Sequence, residues 1–179
     1  QDASGYNLEA GFRGMHKSWL NYDVGLFYLN YDNRVGTVIR DGVNFKTNIG
    51  TSVSKGVEVF CEWNPIKMIV AKPRIGSISV FVSGTWMDAR YTRWNNPDIA
   101  NNPEKSVENK HIEYAPEHTW RSGLSYNHQA LSASVQWSYV GDVFTDAANT
   151  ELPSANGQSG QLNAYNVWDC SVKYAFTKQ

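Results

Sequence analysis

Gly56-Val57-Glu58-Val59-Phe60-Cys61-Glu62-Trp63 reads at period two. One parity holds Val57, Val59, Cys61 and Trp63, and the other holds Gly56, Glu58, Phe60 and Glu62. Residues 131–139 repeat the pattern, with Leu131, Ala133, Val135, Trp137 and Tyr139 on one parity and Ser132, Ser134, Gln136 and Ser138 on the other. A strand sends successive side chains to opposite faces, so each segment has one apolar and one polar face. Many long strands of this kind, with aromatics at the ends of the apolar face, suit a sheet standing between lipid and water.

Working outward, the same alternation marks about seven strands. They fall near residues 5–13, 19–33, 51–63, 76–93, 118–126, 131–145 and 165–176. Several reach about 12 to 16 residues, against about 5 to 6 in globular sheets, and a tilted strand crosses a bilayer with about 9 to 11. The connections alternate in length: roughly four, eleven and four residues at one end, roughly eighteen, twenty-three and nineteen at the other, as outer-membrane barrels segregate short turns from long loops. The first long connection contains the hairpin signal Arg40-Asp41-Gly42. No helix-period segment stands out. The expected fold is all-β, an antiparallel transmembrane β-barrel segment of about seven strands, which cannot close alone and belongs to a larger barrel.

A soluble β-sandwich also alternates, but its strands are shorter and its solvent face carries many Lys and Glu. Here Ser, Thr, Asn, Gln and Gly dominate the polar parity, as suits a wet and crowded lumen. The net charge of −1 gives no case for nucleic acid. No run of about 18 apolar residues exists, which excludes a transmembrane helix and leaves a barrel open. Cys61 and Cys170 fall on strands far apart in order, so two free thiols are expected. The chain starts in mid-pattern at Gln1 and stops just after a strand, which reads as a piece of something larger.

Specific strings then resemble one family. Asn48-Ile-Gly-Thr-Ser-Val-Ser-Lys-Gly-Val-Glu58 and the preceding Leu26-Phe-Tyr-Leu-Asn-Tyr-Asp-Asn33 resemble the barrel of TonB-dependent outer-membrane receptors. Tyr114-Ala-Pro-Glu-His-Thr-Trp120, residues 139–150 and Tyr165-Asn-Val-Trp-Asp169 are similar to its ferric-citrate branch. The resemblance implies a plugged barrel of about 22 strands, with this chain near but not at its C-terminus and the plug, first strands and closing hairpin outside it. It implies TonB-energised import of a ferric chelate, ferric citrate or a siderophore, across the outer membrane. The implied partners are that chelate, the plug domain of the same parent protein, the TonB complex, and outer-membrane lipid and lipopolysaccharide. No cofactor and no enzymatic activity are implied.

Recognition of an anionic chelate asks for planar guanidiniums, which bind carboxylates in a bidentate way. Near the long-loop end these are Arg34, Arg40, Arg90 and Arg93, with Tyr91 and Trp94 beside them to pack on a ligand body. The competing reading makes them rim charges that pair with Asp88 or with lipopolysaccharide phosphate. Asp23, Glu58, Glu62 and Arg121 fall on the lumen face, where they can bond a plug surface. Tyr22, Trp63, Trp120 and Tyr126 read as a membrane-interface belt at the short-turn end, and Trp86, Trp137 and Tyr139 as an outer belt.

No catalytic motif is present: no Gly-x-Ser-x-Gly, phosphate-binding glycine loop or Cys-x-x-Cys. His111-Ile-Glu113 with His118 offers possible zinc ligands, although polar loop residues are the favoured reading. An outer-membrane hydrolase would use His118 with Asp146 and a lumen serine, but no serine is distinguished from its many neighbours. The alternatives are a porin or outer-membrane enzyme, and a soluble sandwich that binds carbohydrate. A plug-coding segment upstream would separate receptor from porin, and detergent dependence would separate barrel from sandwich.

Overall fold

The computed structural model describes residues 3–40, 43–70, 74–94 and 106–176. Its strands are β1 (Ser4–His16), β2 (Leu20–Arg40), β3 (Val43–Trp63), β4 (Ser77–Arg93), β5 (His118–His128), β6 (Leu131–Val140), β7 (Val143–Phe144), β8 (Gln161–Leu162) and β9 (Tyr165–Tyr174), with one helix, α1 (Pro65–Ile69). A single seven-stranded sheet runs β1-β2-β3-β4-β5-β6-β9, and β7 and β8 form a separate two-stranded ribbon. Every ladder is antiparallel.

Register carries the alternation across the whole sheet. Phe12, Val24, Val59, Gly84, Trp120, Tyr139 and Asn166 are successive partners, so they share one face. The next row, Arg13, Asp23, Phe60, Ser83, Arg121, Ser138 and Val167, shares the other. Below the long-loop end no second layer of described residues covers either face of the sheet. Leu8, Leu26 and Val172 stand 62, 56 and 76% exposed on the apolar face, which leaves surrounding lipid to take the place of a protein core. The other face curls around a cavity of about 930 Å³ lined by Glu9, Arg13, Asp23, Glu58 and Phe60 among others. This is the lumen side, and it excludes a sandwich.

The strands are longer than the alternation alone suggests. β2 and β3 each have 21 residues, because the segment read as an excursion is a continuation of both strands. A bulge makes this possible: register shifts at Tyr31/Arg34 and Arg34/Val35, and the ladder then resumes to Arg40 opposite Val43. Asn33 (φ 57°) and Gly50 (φ 95°) occupy the left-handed conformation the bulge needs. Gly50 also lies under β4, where an added Cβ would stand 2.1 Å from the Arg93 carbonyl oxygen. The hairpin tip, Asp41-Gly42, falls outside the described residues.

The connection from β3 to β4 is not wholly irregular. Asn64 caps α1, its Oδ1 accepting the Lys67 backbone N–H at 2.9 Å, and Pro65 opens the helix. Asn-Pro is a recognised start signal, too short here to register as helical periodicity. Cys61 and Cys170 are free and exposed. Their register partners Val82 and Val135 put both on the apolar face.

Buried apolar side chains gather at the long-loop end and not within the sheet: Ala89, Tyr91, Trp94, Val107, Ile112 and Ala147. The chain after β4 folds back and prolongs the ladder. The Ile112 N–H donates to the Ala89 carbonyl at 3.0 Å, and the Tyr91 N–H to the Lys110 carbonyl at 3.0 Å.

Candidate functional site

Arg34 and Arg93 both stand at the long-loop end, and of the two Arg34 is the one that reaches the lumen-facing Tyr91. Arg34 sits on the bulge opposite Gly50, and Arg93 pairs with Thr51 one residue further. The Thr51 hydroxyl donates to Asp32 at 2.7 Å and accepts from Arg93 Nη2 at 3.3 Å, with Asp32 Oδ1 4.0 Å from the same nitrogen. Arg34 reaches the Tyr91 hydroxyl, yet its buried Nε finds no hydrogen-bond partner among the described residues. An unsatisfied buried guanidinium donor is costly, so this position calls for an acceptor such as a carboxylate. Arg93 keeps 63% of its side chain exposed. Arg34 on β2 and Arg93 on β4 are separated by β3, and the register shift at Thr51/Ser52 puts Arg93 with Thr51 and Asp32 on the face opposite Tyr91.

Arg90 and Arg40 are placed differently. Arg90 has the parity of Trp86, which turns it to the outer surface. There its Nε meets Asp88 at 2.6 Å and its Nη1 donates to the Asn109 carbonyl at 2.9 Å. That matches the rim-charge reading through Asp88. Arg40 ends β2 opposite Val43, and its side chain lies outside the description.

Tyr91 and Trp94 are 0 and 8% exposed, inside the loop base instead of on a surface open to a ligand. The returning loop covers them, which strand parity cannot foretell. The Tyr91 hydroxyl donates to Glu113. Burial first, then the Glu113 hydrogen bond and charge, push this phenol far above its usual ionisation range, with Arg34 opposing. Tyr91 thus fixes Arg34 from behind. Sequence reasoning missed Glu113 in this role because no local pattern links residues 91 and 113.

Glu113 turns to Tyr91, whereas His111 Nδ1 lies 3.4 Å from Glu117 Oε1 and His118 Nε2 lies 4.0 Å from Glu117 Oε2. Among the described residues no group of three or more His, Cys, Asp and Glu is arranged to hold a metal. Asp146 is buried, and its Oδ1 accepts from the Ala148 N–H and the Thr150 hydroxyl, the bonding of a structural turn.

The register puts Asp23, Glu58, Glu62 and Arg121 on the lumen face. Asp23 pairs with Arg13 at 3.6 Å, an exposed contact of little energetic weight. Glu62 accepts from the Ser79 hydroxyl at 2.5 Å.

Of the interface aromatics, Tyr22, Trp63 and Tyr126 lie toward the short-turn end, and Trp86, Trp137 and Tyr139 toward the long-loop end. Trp120 belongs with the second group, not the first. β5 descends from the long loop, so its third residue is still high, and the Trp120 ring meets Trp86 at 4.4 Å and 89°. Tyr6 and Tyr28, stacked at 6.2 Å on the same face, extend this upper group onto β1 and β2.

Residues 3–179 match the family described as TonB dependent receptor-like, beta-barrel, and the chain belongs to it. Among solved structures, the unliganded ferric citrate transporter FecA aligns at a TM-score of 0.75 and 21% identity, over 97% of this chain and 24% of that one. The ferric yersiniabactin uptake receptor FyuA from Yersinia pestis aligns at 0.63 and 15%, over 96% of this chain and 22% of that one. A mutant ferric enterobactin receptor PfeA from Pseudomonas aeruginosa, in complex with enterobactin, aligns at 0.65 and 16%, over 98 and 24%. The chain spans about a quarter of the structures it matches, and at these identities the likeness is one of fold.

Proposed function

We propose that the chain is a stretch of barrel wall from an outer-membrane receptor that imports a ferric chelate, with energy relayed by TonB. The observation that carries this reading is the buried Arg34 Nε without a hydrogen-bond partner among the described residues, at the long-loop end of a sheet that belongs to this receptor family. Ferric citrate or a siderophore fits the site, because both present carboxylate or related anionic oxygen to a guanidinium. The strings similar to the ferric-citrate branch favour the former. Within the whole receptor the chain is one block of strands near the C-terminal side of a barrel of about 22 strands. Asp23, Glu58, Glu62 and Arg121 face the plug, and the apolar face meets lipid and lipopolysaccharide. Transport is capture by the loops followed by plug rearrangement, with no bond made or broken.

The test is chelate binding by the purified receptor that carries this segment, followed by quenching of tryptophan fluorescence. Replacing Arg34 with Ala should weaken binding of ferric citrate by roughly tenfold or more, the loss expected of one charge-assisted contact. Arg90→Ala should leave it unchanged. Equal effects at Arg34 and Arg90 would remove the site from the lumen side. Free passage of small solutes with no chelate bound would favour a porin.

A further inference from the structure

We propose that the β3–β4 connection is a membrane-surface anchor, resting on the phospholipid leaflet at the short-turn end of the barrel. The other two connections at that end are tight: β1 passes to β2 through Lys17–Trp19, and β5 to β6 through Gln129 and Ala130. The β3–β4 connection instead spans residues 64–76 and carries α1. Among its described residues four apolar side chains are largely uncovered: Met68, Ile69, Val70 and Ile75 are 54, 83, 50 and 69% exposed. Water is a poor neighbour for such a run.

The segment is tied to the sheet at both ends, and at the far end on its lipid-facing side. Trp63, on the apolar face, leads directly into it, and the next residue, Asn64, donates its N–H to the Trp19 carbonyl at 2.7 Å. At the far end the Tyr126 hydroxyl, from the same apolar face of β5, donates to the Ile75 carbonyl at 2.9 Å. The exposed apolar run is therefore continuous with the lower aromatic group, at the depth where headgroups meet acyl chains. Lys67 in α1 and Arg74 just before Ile75 supply positive charge to meet lipid phosphate. Apolar residues beside Lys and Arg on a short helix are the chemistry of an interfacial segment. A lipid surface is the occupant because the patch joins one apolar face already given to lipid and bears the sign of charge that phospholipid attracts.

This rests on the reading that the sheet spans a membrane, and the experiment separates the two. The receptor carrying this segment, with Cys61 and Cys170 changed to Ser, receives a single Cys at Ile69, at Leu124 or at Asn156, each labelled with a fluorophore. It is placed in nanodiscs of phosphatidylethanolamine and phosphatidylglycerol. Nitroxide-bearing lipid should quench the Ile69 and Leu124 labels strongly, and iodide in the water should quench only the Asn156 label. Lys67→Glu with Arg74→Glu should reduce lipid quenching at Ile69 at least twofold and leave Leu124 unchanged. Lipid quenching at Leu124 but not at Ile69 overturns the anchor alone: iodide access would then mean a solvated turn, and protection from both quenchers a protein partner. No lipid quenching at either position overturns the anchor together with the membrane reading.

Discussion

Trp120 stands edge-on to Trp86, ring centroids 4.4 Å apart, and its six-membered ring lies where a side chain on Gly84 would be. A Cβ built on Gly84 would meet Trp120 Cε3 at 2.6 Å. The glycine opens a seat in the lipid-facing surface, and the indole from the next strand fills it. Gly84→Val should therefore unseat Trp120 and break its contact with Trp86, a pair worth about 0.5–1.5 kcal/mol. Trp120→Ala should destabilise the barrel by at least that amount, measured by urea unfolding in detergent micelles. Gly84→Val in the Trp120→Ala background should then cost little more, since the obstacle is gone.

The two faces of β3 make a sharper comparison. Val59 pairs with Val24 and Gly84 on the apolar face, and its neighbour Glu58 lines the lumen cavity. Val59→Arg places a cation in lipid at a cost of about 2–4 kcal/mol near mid-depth. Glu58→Arg keeps a charge where water reaches it. The fraction of heat-resistant folded receptor on a gel should fall for Val59→Arg and stay near wild type for Glu58→Arg; equal losses would overturn the face assignment.

Tyr91 links the lumen site to alkaline pH. The folded state holds its phenol protonated, above the unfolded value of about 10. The stability this supplies is complete below about pH 10 and is lost as pH rises toward the folded value, by at most roughly 1.4 kcal/mol per pH unit. Melting temperature should accordingly drop more steeply between pH 10 and 11 in wild type than in Tyr91→Phe. The variant itself loses its bond to Glu113 and should be less stable at pH 8, by about 1–3 kcal/mol.

Asn149 couples two long loops. Its Oδ1 accepts the His111 N–H at 2.6 Å and its Nδ2 donates to the His111 carbonyl at 2.8 Å, while Lys110 Nζ donates to the Ala148 carbonyl at 2.8 Å. Asn149→Ala leaves both His111 backbone groups without these partners. Amide exchange measured by mass spectrometry should accelerate about tenfold or more across residues 106–117. The strands β1 to β3 should keep wild-type exchange.

Which face a residue occupies was legible along the unbroken ladders, because alternation is a local property that register only propagates; the register shift at Thr51/Ser52, which turns Arg93 away from the face of Tyr91, was not. Nor was how high a residue stands along the barrel. Trp120 shows why: its level depends on which way β5 runs and on the pairing of Gly84 with it, both non-local. The same limit hides the burial of Tyr91, since only the fold brings residues 106–113 back over β4. Arg90 is a different case. Counting two at a time from Trp86 already turns it outward, and grouping it with Arg93 by proximity in sequence obscures that. Asn64-Pro65 carried a readable helix start that a search for longer periodicity passes over.

A wall one residue thick keeps its two surfaces mechanically independent. In a globular core a new side chain pushes on neighbours in every direction, and recognition and stability must change together. Here Arg13, Asp23 and Glu58 face one medium and Phe12, Val24 and Val59 the other, with only backbone between them. The face that lines the cavity can be re-lettered without disturbing the fit to the bilayer, and the outer face can adapt to a different membrane without altering the surface inside.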